Sequence, residues 1–123
     1  MNPFCDAEGV GLIPWSPLAR GLLSRPASVE SERSVLDVKS KKWFAGQRNG
    51  DIIGRVEEMA KKKGVSMSAI ATAWVLKKGC APILGLSSEK RVVESLEGLE
   101  VVLSDDDIKE LEELYEPLKP IDT

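Results

Sequence analysis

The chain has no histidine, a single tyrosine and only two cysteines among its 123 residues. Without histidine it cannot build an imidazole-based metal site or any His-dependent catalytic dyad or triad. Cys5 and Cys80 lie far apart and form no CxxC pair, which removes zinc fingers. They read as small buried hydrophobes of a cytosolic protein rather than as a disulfide. No apolar run is long enough to span a membrane. The segment Met1–Asp6 has no basic region followed by an apolar stretch, so no signal peptide is expected and the cytoplasm is the default location.

What is present fits a globular domain. The chain is 42% hydrophobic and 30% charged, a balance that allows a buried core. Net charge is −3 with both signs interspersed, so nucleic acid is not expected as a partner. Residues 9–15, GVGLIPW, form a short apolar run suited to a strand buried on both faces. Residues 16–48 read as a long loop, in which Trp43 and Phe44 would anchor onto the core. Helical spacing begins at Asp51, a candidate cap, with Ile52, Val56, Met59, Ala60 and Lys63 on one face. Lys61–Lys63 followed by Gly64 would close that helix.

A second helix is expected from Ser66 to Lys78, with Ile70, Ala73, Trp74 and Lys77 on one side. Residues 81–86, APILGL, read as a second buried strand. A third helix runs from Ser88 to about Leu96, with Val92, Val93 and Leu96 inward. A fourth opens on the capping-box pattern at Ser104–Asp107. Its apolar face would be Ile108, Leu111, Tyr115 and Leu118, and Pro117 and Pro120 would end it. Alternating strands and helices argue for an α/β fold with a parallel sheet. Two parallel strands are not a stable core by themselves, so either strands are missed or the chain is part of a larger fold.

Two segments carry chemistry. In Pro14–Leu23 a buried strand ends in a turn that offers backbone N–H groups, the Ser16 hydroxyl and the Arg20 guanidinium together. That set can hold a phosphate, and Trp15 offers a flat face for a ring. The plainer reading is a strand-to-loop corner with Trp15 in the core. In Gly85–Ser95 a strand ends in glycine, two serines follow, and a helix begins. Its N-terminus favours an anion. Lys90 and Arg91 oppose the helix dipole there unless a phosphate offsets them. The plainer reading is a serine-capped surface helix. Tyr115 reads as packing, and Asp105–Asp107 as a helix cap rather than an acid–base pair.

Together these segments resemble the aldo-keto reductases. GVGLIPWSPLARGLL at 9–23 is similar to the family's seventh strand and loop, and PILGLSS at 82–88 to its eighth strand and helix start. VSMSAIATAWVL at 65–76 is similar to the helix before that strand. The resemblance covers nearly the whole chain. It implies one partial domain, the C-terminal fragment of a (β/α)8 TIM barrel with about two parallel strands and four helices. It implies NADP as cofactor. Trp15 would stack on the nicotinamide, while Ser16, Pro17, Leu18, Ala19, Arg20 and Gly21 would line the pyrophosphate. Gly85, Ser87, Arg91, Glu94 and Ser95 would surround the adenosine and its 2′-phosphate. Position 95 is commonly Asn in the family and position 91 often Gln, so Arg91 could meet either phosphate or adenine.

The family's catalytic Asp, Tyr, Lys and His belong to the first half of the barrel, and the resemblance begins near the end of the sixth helix. No residue here matches them, and Tyr115 lies in the wrong element. The resemblance therefore implies the NADPH-binding portion of an enzyme reducing aldehydes or ketones. The alternative is a non-catalytic nucleotide-binding or interaction module, or a truncated product with no role. A carbonyl substrate is expected only with the rest of the barrel. The unpaired sheet edges leave room for association with itself or with a complementary chain.

Overall fold

A computed structural model describes residues 2–29 and 48–117. Within them lie five α-helices: α1 (Asn2–Glu8), α2 (Asn49–Lys63), α3 (Met67–Lys77), α4 (Glu89–Glu100) and α5 (Asp105–Glu112). A 3-10 segment covers Ala19–Ser24. The helix α1 was not expected from the sequence, although Pro3 in its first turn is compatible with a helix start. The predicted anchor Trp43–Phe44 and Leu118 lie outside the described residues.

Helix α3 is the hub. Its sequence, MSAIATAWVLK, is apolar or small nearly all round, the pattern of a helix enclosed by neighbours. It packs on α2, α4 and the 3-10 segment, while α2 also meets α5. Met59 of α2 and Ile70 of α3 are fully buried, and Leu103 and Leu111 complete the cluster. Leu22 and Leu23 lie against it from the 3-10 segment, which fastens that loop to the helical core. Gly98 lets α4 approach α3: a Cβ at Gly98 would stand 2.8 Å from the Cβ of Thr72.

The helix ends are mostly set by local chemistry. Ser66 accepts a hydrogen bond from the Ala69 amide at 3.1 Å. Ser88 caps α4, and Gly64 closes α2 in the left-handed region at φ 67°. Ser104 and Asp107 exchange both bonds of a capping box. Asp107 is buried and also meets Lys63 at 2.7 Å and Lys62 at 3.3 Å, tying α5 to α2. The Lys63 ammonium, then the Ser104 amide, holds the Asp107 carboxyl far below the usual carboxylate range. The Trp74 indole N–H donates to Glu112 at 2.7 Å, which ties α5 to α3 as well.

Several expectations need correction. Asp51 is not the cap of α2, which starts two residues earlier behind Arg48 without a side-chain cap. Ile53, not Ile52, takes the buried position on that helix, because the face packed into the core follows Ile53, Val56, Met59 and Ala60, at i, i+3, i+6 and i+7. On α4 the expected inward residues Val92, Val93 and Leu96 are exposed. The buried residue is Gly98, since close backbone approach to Thr72 decides that face. Tyr115 lies beyond α5 and is 68% exposed rather than packed.

The expected strands at 9–15 and 81–86 are present only as two isolated parallel bridges, Leu12 with Cys80 and Trp15 with Ile83. The Ala81 amide donates to Leu12 O at 2.8 Å and the Ile83 amide to Pro14 O at 3.1 Å. The direction and neighbourhood are those expected, but the count of two full strands is not supported. Among the described residues no third segment pairs with either, and a strand paired on one side forms half the ladder.

Candidate functional site

Because the pairing is parallel, both segments run out at the same end. Trp15 and Ile83 form the last bridge, and the loops that follow, from Ser16 and from Leu84, leave side by side. In parallel α/β sheets ligands bind outside the carboxyl ends of the strands, where such loops cluster. One bridge thus brings together the two motifs that lie about seventy residues apart in the sequence.

The first loop has an unusual backbone. Ser16, Ala19 and Arg20 all have positive φ, at 54°, 46° and 55°, and Gly21 follows at 97°. Each non-glycine residue in that region costs roughly 1–2 kcal/mol. The arrangement is held by the Ala19 amide on Ser16 O at 2.9 Å and by the Gly21 amide on Leu18 O at 2.9 Å. Successive left-handed turns of this kind turn backbone N–H groups toward one side, the geometry of an anion nest. Residue type pointed to a turn here, and glycine explains φ at Gly21 only. The left-handed alanine and arginine carry no sequence signal.

Trp15 is 68% exposed, so the reading that put it in the core does not hold for the described residues. Its ring face is available at the end of the paired segment. Pro17, Leu18, Ala19, Arg20 and Gly21 are half-buried along the turn.

The second loop leads into α4. Ser88 accepts from the Arg91 amide at 3.4 Å, which leaves the amides of the first turn pointing out of the helix end. The Arg91 guanidinium donates to the Ser87 hydroxyl at 3.0 Å, so these two side chains form one unit beside that end. The Ser95 hydroxyl donates back to Arg91 O at 2.7 Å and is partly committed to its own helix. Glu94 lies 3.8 Å from Lys90 across one turn. Gly85 is exposed two residues beyond the last bridge. Among the described residues no cluster of three His, Cys, Asp or Glu side chains could hold a metal. No helix among them is long and apolar enough to cross a membrane.

The site therefore offers a flat aromatic face, a strained backbone turn carrying an arginine, and a helix N-terminus carrying a second arginine. Such a set suits an elongated ligand with an aromatic ring and separated phosphates. Arg25, which braces the first turn, was not singled out by residue type.

The chain is similar to known proteins along nearly its whole length. The family model for the aldo/keto reductase family matches residues 1–116. A Schizosaccharomyces pombe protein named as an aryl-alcohol dehydrogenase is 50% identical over 96% of this chain and 34% of its own length. The versiconal hemiacetal acetate reductase of Aspergillus parasiticus is 44% identical over 95% of this chain and 36% of its own length. Among solved structures, a thermostable aldo-keto reductase in complex with the inhibitor epalrestat matches 93% of this chain and 33% of its own. Its TM-score is 0.65 at 26% identity. The glycerol dehydrogenase of Gluconobacter oxydans shares the fold with a TM-score of 0.72 at 20% identity, over 100% of this chain and 41% of its own. The chain spans about a third of the length of the curated relatives it matches.

Proposed function

The chain belongs to the aldo/keto reductase family, and on that premise we propose that it forms the NADPH-binding end of a (β/α)8 barrel that reduces aldehydes or ketones to alcohols. The observation that supports this most is the parallel bridge between Trp15 and Ile83, from which both candidate loops leave on one side. The donor chemistry fits the cofactor. Trp15 stacks on the nicotinamide, and Ser16, Pro17, Leu18, Ala19, Arg20 and Gly21 line the pyrophosphate. Gly85, Ser87, Arg91, Glu94 and Ser95 surround the adenosine, with Arg91 on the 2′-phosphate. Bound NADPH supplies the hydride that reduces a carbonyl carbon. The proton for the carbonyl oxygen is left to a group outside these residues: the chain has no histidine, and Tyr115 lies beyond α5, in neither candidate loop.

That same absence favours one second reading, a nucleotide-binding or interaction module without turnover of its own. The two readings share the cofactor site and differ in whether the rest of the barrel accompanies it. With the rest of the barrel the partner is the carbonyl substrate; without it, the partner is a further copy or a complementary chain.

The cofactor assignment is tested by fluorescence titration of NADPH and NADH. A guanidinium on a phosphate contributes about 1.5–3 kcal/mol, so Arg91→Ala is expected to weaken NADPH by roughly ten- to a hundredfold and to leave NADH nearly unchanged. Arg20→Ala faces the pyrophosphate that both cofactors share and is expected to weaken both alike. Equal losses of NADPH and NADH on Arg91→Ala would remove the 2′-phosphate role.

A further inference from the structure

We propose that Arg25 is a positioning residue for the dinucleotide: it holds the Gly21 peptide in the conformation that aims the Ser16–Gly21 turn. The proposal rests on the reading of that turn as the pyrophosphate site. Arg25 Nη1 donates to Gly21 O at 2.7 Å, and its Nε donates to Val29 O at 3.0 Å. The guanidinium fork is thus engaged by two backbone carbonyls four residues to either side. Ser24 Oγ donates to the same Gly21 oxygen at 2.8 Å. The preceding peptide unit is fixed as well, by the Gly21 amide donating to Leu18 O at 2.9 Å.

The bond acts where the backbone is least stable by itself. Arg20 stands at φ 55°, ψ 29° and Gly21 at φ 97°, ψ 0°, two left-handed residues in succession. Gly21 and Arg25 are also matched in space. A Cβ added at Gly21 would come within 2.9 Å of Arg25 Nη1, so glycine both accepts the φ and admits the guanidinium. Leu22 and Leu23, between them, pack on the helical core. The turn is therefore anchored by two leucines on the core and clasped at Gly21 O by Arg25. Without the clasp the chain would relax toward right-handed conformations, and the amides of the turn would no longer converge.

The test compares NADPH, NADH and adenosine 2′,5′-bisphosphate, which reaches the adenosine end but not the pyrophosphate turn. Arg25→Ala is expected to weaken NADPH and NADH alike by about tenfold, and to leave the bisphosphate within about twofold. Arg25→Lys keeps the charge but cannot hold both carbonyls, so it is expected to recover only part of the loss. Unchanged dinucleotide affinity in Arg25→Ala would overturn the proposal. Equal loss of the bisphosphate would reduce Arg25 to general stability. Full recovery by Arg25→Lys would make it a direct charge on phosphate. Wild-type protein that binds none of the three ligands would overturn the cofactor reading itself. Wild-type binding with an indifferent Arg25→Ala would remove only the role of Arg25.

Discussion

Ile70 on α3 and Ile13 on the first paired segment are the same side chain in opposite settings. Ile70 is fully enclosed, whereas Ile13 is 70% exposed, with Trp15 and Ile83 beside it also open. The helical layer of α2, α3 and α5 closes a core of its own, in which Ile53, Met59 and Ile70 meet Leu103 and Leu111. The paired segments have no further strand beside them among the described residues, and Val10, Ile13, Trp15 and Ile83 stand exposed. One region encloses its own core, and the other carries the candidate site on a framework with open apolar side chains. This division matches a chain that spans a third of its relatives.

The most forceful way to break that contrast is to truncate both isoleucines. Ile70→Ala removes a fully buried side chain and is expected to cost about 2–5 kcal/mol. Ile13→Ala removes an exposed one and is expected to stay within about 0.5 kcal/mol. Urea unfolding followed by circular dichroism measures both. Comparable losses would mean that the paired segments are as firmly packed as the helices. Adding the rest of a barrel should raise the cost at Ile13 and leave that at Ile70 nearly unchanged.

The same contrast governs what could be read from the sequence. Helix positions were legible because caps and periodicity act over a few residues: Ser66, Ser88, Gly64 and the Ser104–Asp107 box all stand where their chemistry predicts. Helix faces were less legible. Val92, Val93 and Leu96 have the spacing of a buried stripe, but Gly98 turned another face toward α3. The parallel partnership of the two apolar runs was legible, while their extension into strands was not, since a ladder depends on what pairs on the other side. In the candidate site, residue types pointed to Trp15, Arg20 and Arg91. The left-handed Ala19 and Arg20 and the clasp from Arg25 emerge only when the backbone is traced, because no side-chain preference encodes them.

A smaller effect sharpens the helical side of the comparison. Asp107 joins α5 to α2 through Lys63 and closes its own capping box. Its folded pKa is depressed, so its contribution is complete above the ordinary carboxylate pKa of about 4 and is lost as pH falls toward the folded value. Asp107→Ala is expected to cost about 1.5–3 kcal/mol at neutral pH, as for a hydrogen bond to a charged group. The gap between wild type and variant should narrow progressively below about pH 4. A gap independent of pH would mean that the box acts through shape rather than charge.

The smallest effect separates two adjacent cations at the start of α4. Arg91 is bonded to the Ser87 hydroxyl, whereas Lys90 is 84% exposed and reaches Glu94 only at 3.8 Å. An exposed pair of that kind contributes a few tenths of a kcal/mol. A cation in the first turn opposes the helix dipole by a similar amount, about 0.3–1 kcal/mol. Alanine is also the better helix former, by a few tenths of a kcal/mol at most. The three contributions leave Lys90→Ala neutral to slightly stabilising, within about 0.5 kcal/mol, and the small gain should fade as salt screens the dipole. NADPH affinity is expected to change by less than about twofold, against the ten- to a hundredfold loss at Arg91. Thermal melting at low and high salt, paired with the NADPH titration, measures both quantities. A loss of NADPH affinity at Lys90 comparable to that at Arg91 would mean that the helix end attracts phosphate through its summed charge, and that the Arg91–Ser87 unit has no special geometry to offer.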